Sequence, residues 1–333
     1  MIEFQRKLLG DAVRNDALSR ALKAVITPGC TVTDIGSGTG FLSFLALGLG
    51  AKHCYLYETS HDLLRLSQCI ARANGLHRRC TFVHAHSRDI RSPMKTDIVI
   101  SETLGNFAYE EHIIETMNDA KRFLKPGGML IPQKLRQFVA PVVTDRLWRE
   151  INIWDDISRC VMVSGDEPSH RLNFDAAKEV ALNNMYVKTV RRGDLLPPLP
   201  NPCLPAGRLP PEEGKWDSID FTRKNTSKRE GRMTWSFPRN ITIYGFAVWW
   251  ECDLVPGVTL STSPFVKPTH WEQIFLPLLS PIEAKKGDQL SFHITANSSY
   301  KTGLNVTWHT TLHRGKKSIA RQKQELQQGM IFP

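Results

Sequence analysis

The chain contains 333 residues with a mass of 37.7 kDa, about twice the length of a typical single domain, so its length predicts two domains. Apolar residues make up 41% and charged residues 23% of the chain, a balance that is typical of globular proteins and excludes extended disorder. The longest nearly apolar stretch, residues 41–51, is too short to span a bilayer, so we expect no membrane partner.

The net charge bears on which kind of partner the protein binds, and the cysteines bear on the cellular compartment. A net charge of +10 suggests an anionic partner such as RNA. The basic residues are scattered, however, and cluster only at 223–232 and 313–317, so we expect nucleic acid not to be the primary partner. The seven cysteines contain no Cys-x-x-Cys pair and indicate neither a disulfide framework nor a zinc module. We expect a reducing compartment, the cytoplasm, with the nucleus as an alternative.

Residues 1–131 alternate between helical and strand patterns. Apolar residues recur at helical spacing in three segments, 11–26, 40–50 and 63–74. Short apolar runs typical of strands occur at 31–35, 54–57, 80–84 and 97–101. This alternation predicts an α/β fold with a doubly wound parallel sheet. A further helix is predicted to begin near residue 111 and to end at the Lys-Pro-Gly-Gly sequence of residues 125–128.

The pattern changes after residue 131, where polar and apolar residues alternate in short runs separated by turn residues. Examples are residues 135–143, 239–250, 289–294 and 304–312. The alternation predicts an antiparallel sheet or barrel over residues 132–333. Between these runs lie an acidic, aromatic and partly helical stretch at about 147–181 and a Pro-rich loop at about 195–215.

A glycine-rich turn indicates a nucleoside cofactor. Residues 33–40, with the sequence TDIGSGTG, follow a predicted strand and open a predicted helix. Gly36 and Gly38 permit a tight turn and close approach of a ligand, while Glu58 at the end of the next strand is placed to accept ribose hydroxyls. The spacing is G-x-G-x-G rather than the dinucleotide G-x-G-x-x-G, and the usual ligand of the shorter pattern is S-adenosylmethionine.

Two glutamates follow another strand of the same sheet. Glu102 and Glu111 are nine residues apart in the segment SETLGNFAYEE, a separation that would place them on opposite faces of a helix. They converge only if the segment doubles back, and Gly105-Asn106 supplies a bend. Converging carboxylates need a cation between them, and a guanidinium fits. Spacing alone leaves the alternative open that one glutamate is a surface acid and the other favours a helix dipole.

The resemblance to a known family weighs against that alternative. Residues 101–111 resemble the double-glutamate loop of the protein arginine N-methyltransferases, and residues 267–271, KPTHW, resemble their Thr-His-Trp loop. The cofactor glycines, Glu58 and the DAVR sequence of residues 11–14 also match, in the same order along almost the whole chain. The resemblance implies a methyltransferase sheet, residues 1–131, joined to a β-barrel through a cis-proline, for which Ile131-Pro132 is the candidate. It also implies a homodimer formed by an inserted arm at about 147–181.

The resemblance extends to the site residues. Arg14 corresponds to the arginine that holds the methionine carboxylate, and Arg88 stands where many relatives have an acid for the adenine amino group. The expected cofactor-binding residues are Arg14, Asp34, Gly36, Gly38, Glu58, His86 and Ser87. The expected substrate-binding residues are Glu102, Glu111, Phe107, Trp271 and Gln273.

The expected reaction is methyl transfer to an arginine side chain, which leaves S-adenosyl-L-homocysteine. Glu102 and Glu111 would grip and polarise the guanidinium, and either glutamate or His270 would take the proton. No metal is required. The resemblance suggests protein substrates with arginine-rich tails, such as histones or Arg/Gly-rich RNA-binding proteins.

Departures from the family pattern bear on the product. Enzymes that make asymmetric dimethylarginine typically carry Trp-Met-Gly-Tyr where residues 103–106 read TLGN, and Met where Ile113 stands. Enzymes that make symmetric dimethylarginine replace Thr-His-Trp by Phe-Ser-Trp, whereas this chain keeps His270. The resemblance therefore favours the monomethylating, type III branch, with Phe107 and Gln273 as walls of a tight pocket. The alternatives are a dimethylating enzyme, a catalytically silent scaffold, and an RNA methyltransferase, whose phosphate backbone the paired carboxylates would repel.

Overall fold

The computed structural model describes residues 2–160, 173–196 and 214–329. The helices are α1 (Ile2–Gly10), α2 (Ala12–Val25), α3 (Phe41–Gly48), α4 (His61–Ala73), α5 (Ile113–Ala120), α6 (Arg146–Ile151), α7 (Trp154–Cys160) and α8 (Asp175–Leu182). The first strands are β1 (Thr31–Ile35), β2 (His53–Glu58), β3 (Cys80–His84), β4 (Thr96–Ile100) and β5 (Leu124–Ile131). The later strands are β6 (Lys134–Val142), β7 (Tyr186–Lys188), β8 (Lys215–Asp220), β9 (Lys228–Ser236), β10 (Ile241–Val255), β11 (Val258–Ser261), β12 (Gln273–Ala284), β13 (Gln289–Asn297), β14 (Asn305–Arg314) and β15 (Lys317–Glu325).

The first five strands form a parallel sheet in the order β3-β2-β1-β4-β5, which confirms the predicted α/β fold. Strand β1 lies at the centre. The chain first builds the sheet outward on one side, through β2 and β3, and then crosses to the other side for β4 and β5. In such sheets the carboxyl ends of the strands on either side of that reversal enclose a ligand-binding crevice. Apolar side chains of β1 and β4, such as Val32 and Val99, are completely buried beneath it.

The predicted end of the fifth helix is wrong. Helix α5 ends at Ala120, and the Lys-Pro-Gly-Gly sequence of residues 125–128 lies inside strand β5 instead of stopping a helix. Strand β5 is at the edge of the sheet, where Pro126 can lack an amide hydrogen without breaking a ladder. The register of β5 against β4 also shifts there, which accommodates Gly127 at φ +75°.

The chain crosses into an antiparallel domain at Ile131-Pro132, whose peptide bond is cis, as the resemblance predicted. One sheet has the order β7-β12-β10-β6-β8, with β11 paired to β10, and the other has the order β15-β14-β13-β9. The predicted antiparallel barrel is confirmed. Strand β9 was not singled out from the sequence because its residues alternate between exposed and half-buried positions, with little apolar signal.

The structure describes parts of the predicted arm and little of the predicted Pro-rich loop. Helices α6, α7 and α8 occupy the arm, and the rings of Trp154 and Phe174 stack with centroids 6.4 Å apart. Residues 161–172 of the arm and residues 197–213 of the loop lie outside the described residues. Within the described ranges, no helix has the length and apolar character needed to cross a membrane.

Candidate active site

A cavity of about 140 Å³ lies at the carboxyl edge of the parallel sheet, in the crevice that the strand order predicts. The ends of β1, β2 and β3, the 101–111 loop, helix α5 and one barrel loop contribute to its wall. Predicted and unpredicted site residues meet there, among them Gly36, His86, Ser87, Glu111, Thr116 and Tyr300.

The glycine-rich turn leaves no room for side chains. Gly36 has φ +73°, and an added Cβ would lie 3.1 Å from Cγ2 of Thr103. Gly38 has φ +52°, and an added Cβ would lie 3.2 Å from Oε1 of Gln5. Left-handed backbone of this kind favours glycine. The buried Gln5 of α1 thus covers the turn, and the sequence analysis did not identify it because α1 has no pattern that separates it from a surface helix.

The carboxylates of the two acids beside the turn both accept hydrogen bonds from protein groups. Glu58 accepts hydrogen bonds from the amides of Gly38 and Ser60, both at 2.8 Å, so it is fixed beside the turn. Asp34 is buried and accepts a 2.8 Å hydrogen bond from the Ser43 hydroxyl of α3. Desolvation, reinforced by the Glu58 and Glu102 carboxylates, raises the pKa of Asp34 to about 6. Direct contact of either acid with a cofactor stays a prediction.

The residues after β3 line the far end of the cavity, where the expected adenine would lie. Ser87 is 2% exposed, and its hydroxyl has no hydrogen-bond partner within the described part of the chain. A buried, unsatisfied hydroxyl on a cavity wall is a group that a polar ligand can satisfy. The glycine cradle and this hydroxyl fit a nucleoside ligand between them.

The double-glutamate segment doubles back as predicted. Gly105 and Ala108 form an antiparallel bridge, and Ala108 takes φ +69° at the reversal. Glu102 forms an ion pair with Arg14 in which each side chain is 7% exposed, and Arg14 Nε lies 2.8 Å from Glu102 Oε2. Glu111 lines the cavity near this pair. The structure therefore pairs Arg14 with Glu102, 88 residues apart in the sequence, and leaves Glu111 within electrostatic reach of Glu102.

The electrostatics of Glu111 suit a cation-binding group. Its side chain still reaches solvent, but desolvation by the surrounding cleft, reinforced by the carboxylates of Glu102 and Glu110, raises its pKa to about 7. An entering cation would favour the ionised form and lower this pKa again. Glu111 is thus poised to gain its charge when a guanidinium binds.

His270 forms a pair with Asp11 that the sequence analysis did not predict. Asp11 Oδ2 accepts hydrogen bonds from the His270 amide at 2.7 Å and from Nδ1 at 2.8 Å, while Oδ1 accepts from the Arg14 amide at 2.9 Å. Because the carboxylate only accepts, the hydrogen of the ring is on Nδ1. Burial lowers the pKa of His270 despite Asp11, and its Nε2 has no partner among the described residues. The helix start at Asp11 signals a cap, but nothing local signals that His270 pairs with it.

Trp271 holds the double-glutamate segment. Its indole Nε1 donates to the carbonyl of Leu104 at 2.8 Å, and Trp250 Nε1 donates to the carbonyl of Gly105 at 3.0 Å. The Glu272 amide donates to Asn106 Oδ1 at 3.2 Å. The barrel therefore fixes the bend between the two glutamates.

Neither of the two predicted pocket walls, Phe107 and Gln273, lines this cavity. Phe107 is completely buried, packs against Tyr109 and Trp216, and does not line the cavity. Gln273 uses both ends of its amide on backbone groups, since Nε2 donates to the Thr262 carbonyl and Oε1 accepts from the Val190 amide. The prediction for Phe107 is wrong because the sequence motif does not tell which way a side chain points once the segment bends. Gln273 as a wall of the arginine pocket stays a prediction.

Comparison with known proteins gives the family. The family model "Methyltransferase domain" matches residues 26–166, and "Arginine methyltransferase oligomerization subdomain" matches residues 135–310, more than half of the chain. Protein arginine N-methyltransferase 6 of Xenopus tropicalis is 26% identical over 305 residues, 90% of this chain and 84% of the relative. Histone-arginine methyltransferase CARMER of Anopheles gambiae is 25% identical over 311 residues, 91% of this chain and 47% of the relative.

Solved structures agree in fold. The Trypanosoma brucei PRMT1 enzyme-prozyme heterotetrameric complex with AdoHcy superposes with a TM-score of 0.78 at 22% identity, covering 97% of this chain and 98% of the other. Arabidopsis thaliana protein arginine methyltransferase 10 gives a TM-score of 0.75 at 20% identity, covering 98% of both chains. Together with the match to the oligomerization subdomain, they establish that the chain belongs to the protein arginine N-methyltransferase family, whose members are S-adenosylmethionine-dependent enzymes.

Proposed function

We propose that this enzyme transfers a single methyl group from S-adenosylmethionine to a guanidino nitrogen of protein arginine and stops at ω-N-monomethylarginine. The observation that carries the proposal is the buried Arg14–Glu102 pair, with Glu111 within electrostatic reach of Glu102 and on the wall of the cavity beside the glycine cradle. When bound, the cofactor supplies an electrophilic methyl group on a sulfonium. The protein supplies position and charge.

The two glutamates would hold the guanidinium from two sides. Arg14 occupies Oε2 of Glu102, whereas Oε1 makes only a 3.4 Å contact with the Leu104 amide and retains capacity for another donor. Glu111 lines the cavity, interacts electrostatically with the Glu102 carboxylate, and gains its charge as the cation enters. A guanidinium presents five donors in a plane, so two carboxylates can orient one nitrogen toward the methyl group. Arg14 is the proposed ligand of the cofactor carboxylate.

His270 is the proposed proton acceptor. Asp11 fixes the ring with its hydrogen on Nδ1, so the lone pair of Nε2 is free to take the proton that the methylated nitrogen loses. The lowered pKa of His270 keeps the ring neutral before the reaction. Asp11 would then stabilise the imidazolium that forms.

The monomethyl product is proposed because the pocket between the two glutamates would be too rigid to accept a methylated guanidinium. A second transfer requires the methylated guanidinium to be seated again in a wider space. The hydrogen bonds from Trp250, Trp271 and Glu272 to the segment of residues 104–106 oppose such widening. A dimethylating enzyme is the alternative that the product analysis below tests.

Proteins with arginine-rich tails are the proposed substrates, and a homodimer is the proposed assembly. A relative named histone-arginine methyltransferase supports histone tails as one class, with Arg/Gly-rich proteins as another. The oligomerization subdomain and the helices at the predicted arm support the dimer.

The test combines labelled S-adenosylmethionine with an Arg-Gly peptide, the matched Lys-Gly peptide, and RNA. We expect label on the arginine peptide alone and monomethylarginine as the only methylated product of acid hydrolysis. Either dimethylarginine isomer in quantity would refute the monomethyl product. Label on RNA would support the rival RNA methyltransferase, and no label on any acceptor would support a silent scaffold.

A further inference from the structure

Tyr300 belongs to the barrel but lines the cofactor cavity. It lies in the loop between β13 and β14, and its hydroxyl is 3.3 Å from Oγ1 of Thr116 in helix α5. The centroid of its ring lies 4.5 Å from that of His112 and 5.4 Å from that of His86. The side chain is 36% exposed, so one part of the ring is in contact and another remains open.

The loop that carries Tyr300 is held against the methyltransferase domain. The hydroxyl of Ser298 donates to Oε1 of Glu115 at 2.9 Å, and the carbonyl of Ser298 accepts a 2.6 Å hydrogen bond from Nδ1 of His112. Ser298 itself is completely buried. These bonds fix the base of the loop two residues before Tyr300, so the ring keeps its place on the cavity wall.

A charged neighbour also contacts the ring of Tyr300. The guanidinium carbon of Arg88 lies 4.6 Å from the ring centroid, a cation–π contact. Arg88 therefore supports the ring at the position where many relatives have an acid for the adenine amino group. The unsatisfied hydroxyl of Ser87 lies on the same wall.

We propose that Tyr300 is a cofactor-binding residue whose ring packs against the adenosine part of S-adenosylmethionine, with Arg88 and His112 as positioning residues for that ring. The residues after β3 line the crevice at the carboxyl edge, where ligands bind in sheets of this type, and a purine offers the flat surface that an aromatic ring binds best. The substrate-binding barrel thereby takes part in cofactor binding. The inference rests on the proposed use of this cofactor at this site.

Titration calorimetry with two ligands tests the assignment. S-adenosylhomocysteine carries both the adenosine and the amino-acid part, whereas 5′-methylthioadenosine carries only the adenosine part. We expect Tyr300→Ala to weaken both ligands by the same factor, roughly tenfold, and Tyr300→Phe to weaken them by less. Lys301→Ala, which changes the exposed next residue of the same loop, should bind as the wild type does. Arg14→Ala should weaken S-adenosylhomocysteine alone.

The outcomes separate this inference from the proposed function. If the wild type binds both ligands and Tyr300→Ala binds them equally well, Tyr300 has no role in the site while the proposed function stands. If the wild type binds neither ligand, the proposed function fails as well. Should Tyr300→Ala not fold, ultraviolet cross-linking of the wild type to adenine-labelled S-adenosylhomocysteine decides. Label in the tryptic peptide of residues 287–301 supports the inference, and label confined to other peptides overturns it.

Discussion

The two ends of the cleft are built from different interactions. At the methyl-transfer end, charged groups from distant parts of the chain pair with one another, as Arg14 does with Glu102 and His270 with Asp11. At the adenosine end, rings from both domains meet around Tyr300, and the hydroxyl of Ser87 lacks a protein partner. At the methyl-transfer end, ion pairs within the protein hold the charged side chains. At the adenosine end, the Ser87 hydroxyl is left for a ligand to hydrogen-bond.

The difference predicts where substitutions act. A charge removed from the methyl-transfer end leaves another buried charge without a partner and disturbs the reacting atoms, so the rate should suffer most. A ring removed from the other end weakens contact with the cofactor and should affect mainly its affinity.

Glu102→Gln and Glu111→Gln should each reduce kcat/KM for an arginine peptide by roughly 100-fold or more, because each removes one side of the guanidinium clamp. Only Glu102→Gln should also lower the free energy of unfolding, by about 3–5 kcal/mol, since it leaves the buried Arg14 without its anion. Steady-state kinetics and urea unfolding measure the two effects. Glu283→Gln, a change at an exposed acid of β12, is the control. Full turnover in either clamp variant would disprove its role.

Trp271 and Gln273 have different predicted roles. Trp271 holds the double-glutamate segment, whereas Gln273 stabilises the barrel through two hydrogen bonds to backbone groups. Trp271→Phe removes the hydrogen bond to the Leu104 carbonyl, so the pocket should widen and dimethylarginine should appear. Gln273→Ala leaves the Val190 amide and the Thr262 carbonyl unsatisfied and should destabilise the fold by about 1–3 kcal/mol for each group. Its product should stay monomethylarginine. Mass spectrometry of the product and chemical unfolding test both statements, and a dimethylated product from Gln273→Ala would identify that residue as a pocket wall.

The raised pKa of Glu111 makes arginine binding depend on pH. Near pH 6.5 much of this carboxyl is protonated in the free protein, and the entering guanidinium favours the ionised form. Binding should therefore release a fraction of one proton, and affinity should rise as the pH increases from 6 to 8. Calorimetry of a histidine-free peptide in two buffers of different ionisation enthalpy measures the proton count. Glu111→Gln should abolish the release, and proton uptake by the wild type would be the opposite of the expected sign.

The sequence predicted the elements whose chemistry is local. The β-branched runs predicted the parallel sheet, and Gly105-Asn106 predicted the bend of the double-glutamate segment. These signals lie within a few residues of one another. Resemblance rather than spacing added the cis bond before Pro132.

The contacts that the sequence did not predict join residues far apart in the chain. His270 and Asp11 are separated by 259 residues, and Tyr300 reaches Thr116 across 184. No periodicity encodes such pairs. Phe107 was misplaced for a related reason, since the direction of a side chain in a bent segment depends on partners such as Gln137.

The most direct test of the clamp compares arginine with its neutral isostere. Peptides that differ only in arginine or citrulline are titrated into the wild type and Glu111→Gln in the presence of S-adenosylhomocysteine. Two carboxylates around a guanidinium predict that the wild type binds the arginine peptide at least about tenfold more tightly, and that Glu111→Gln loses most of this preference. Equal affinity of the wild type for both peptides would contradict the account.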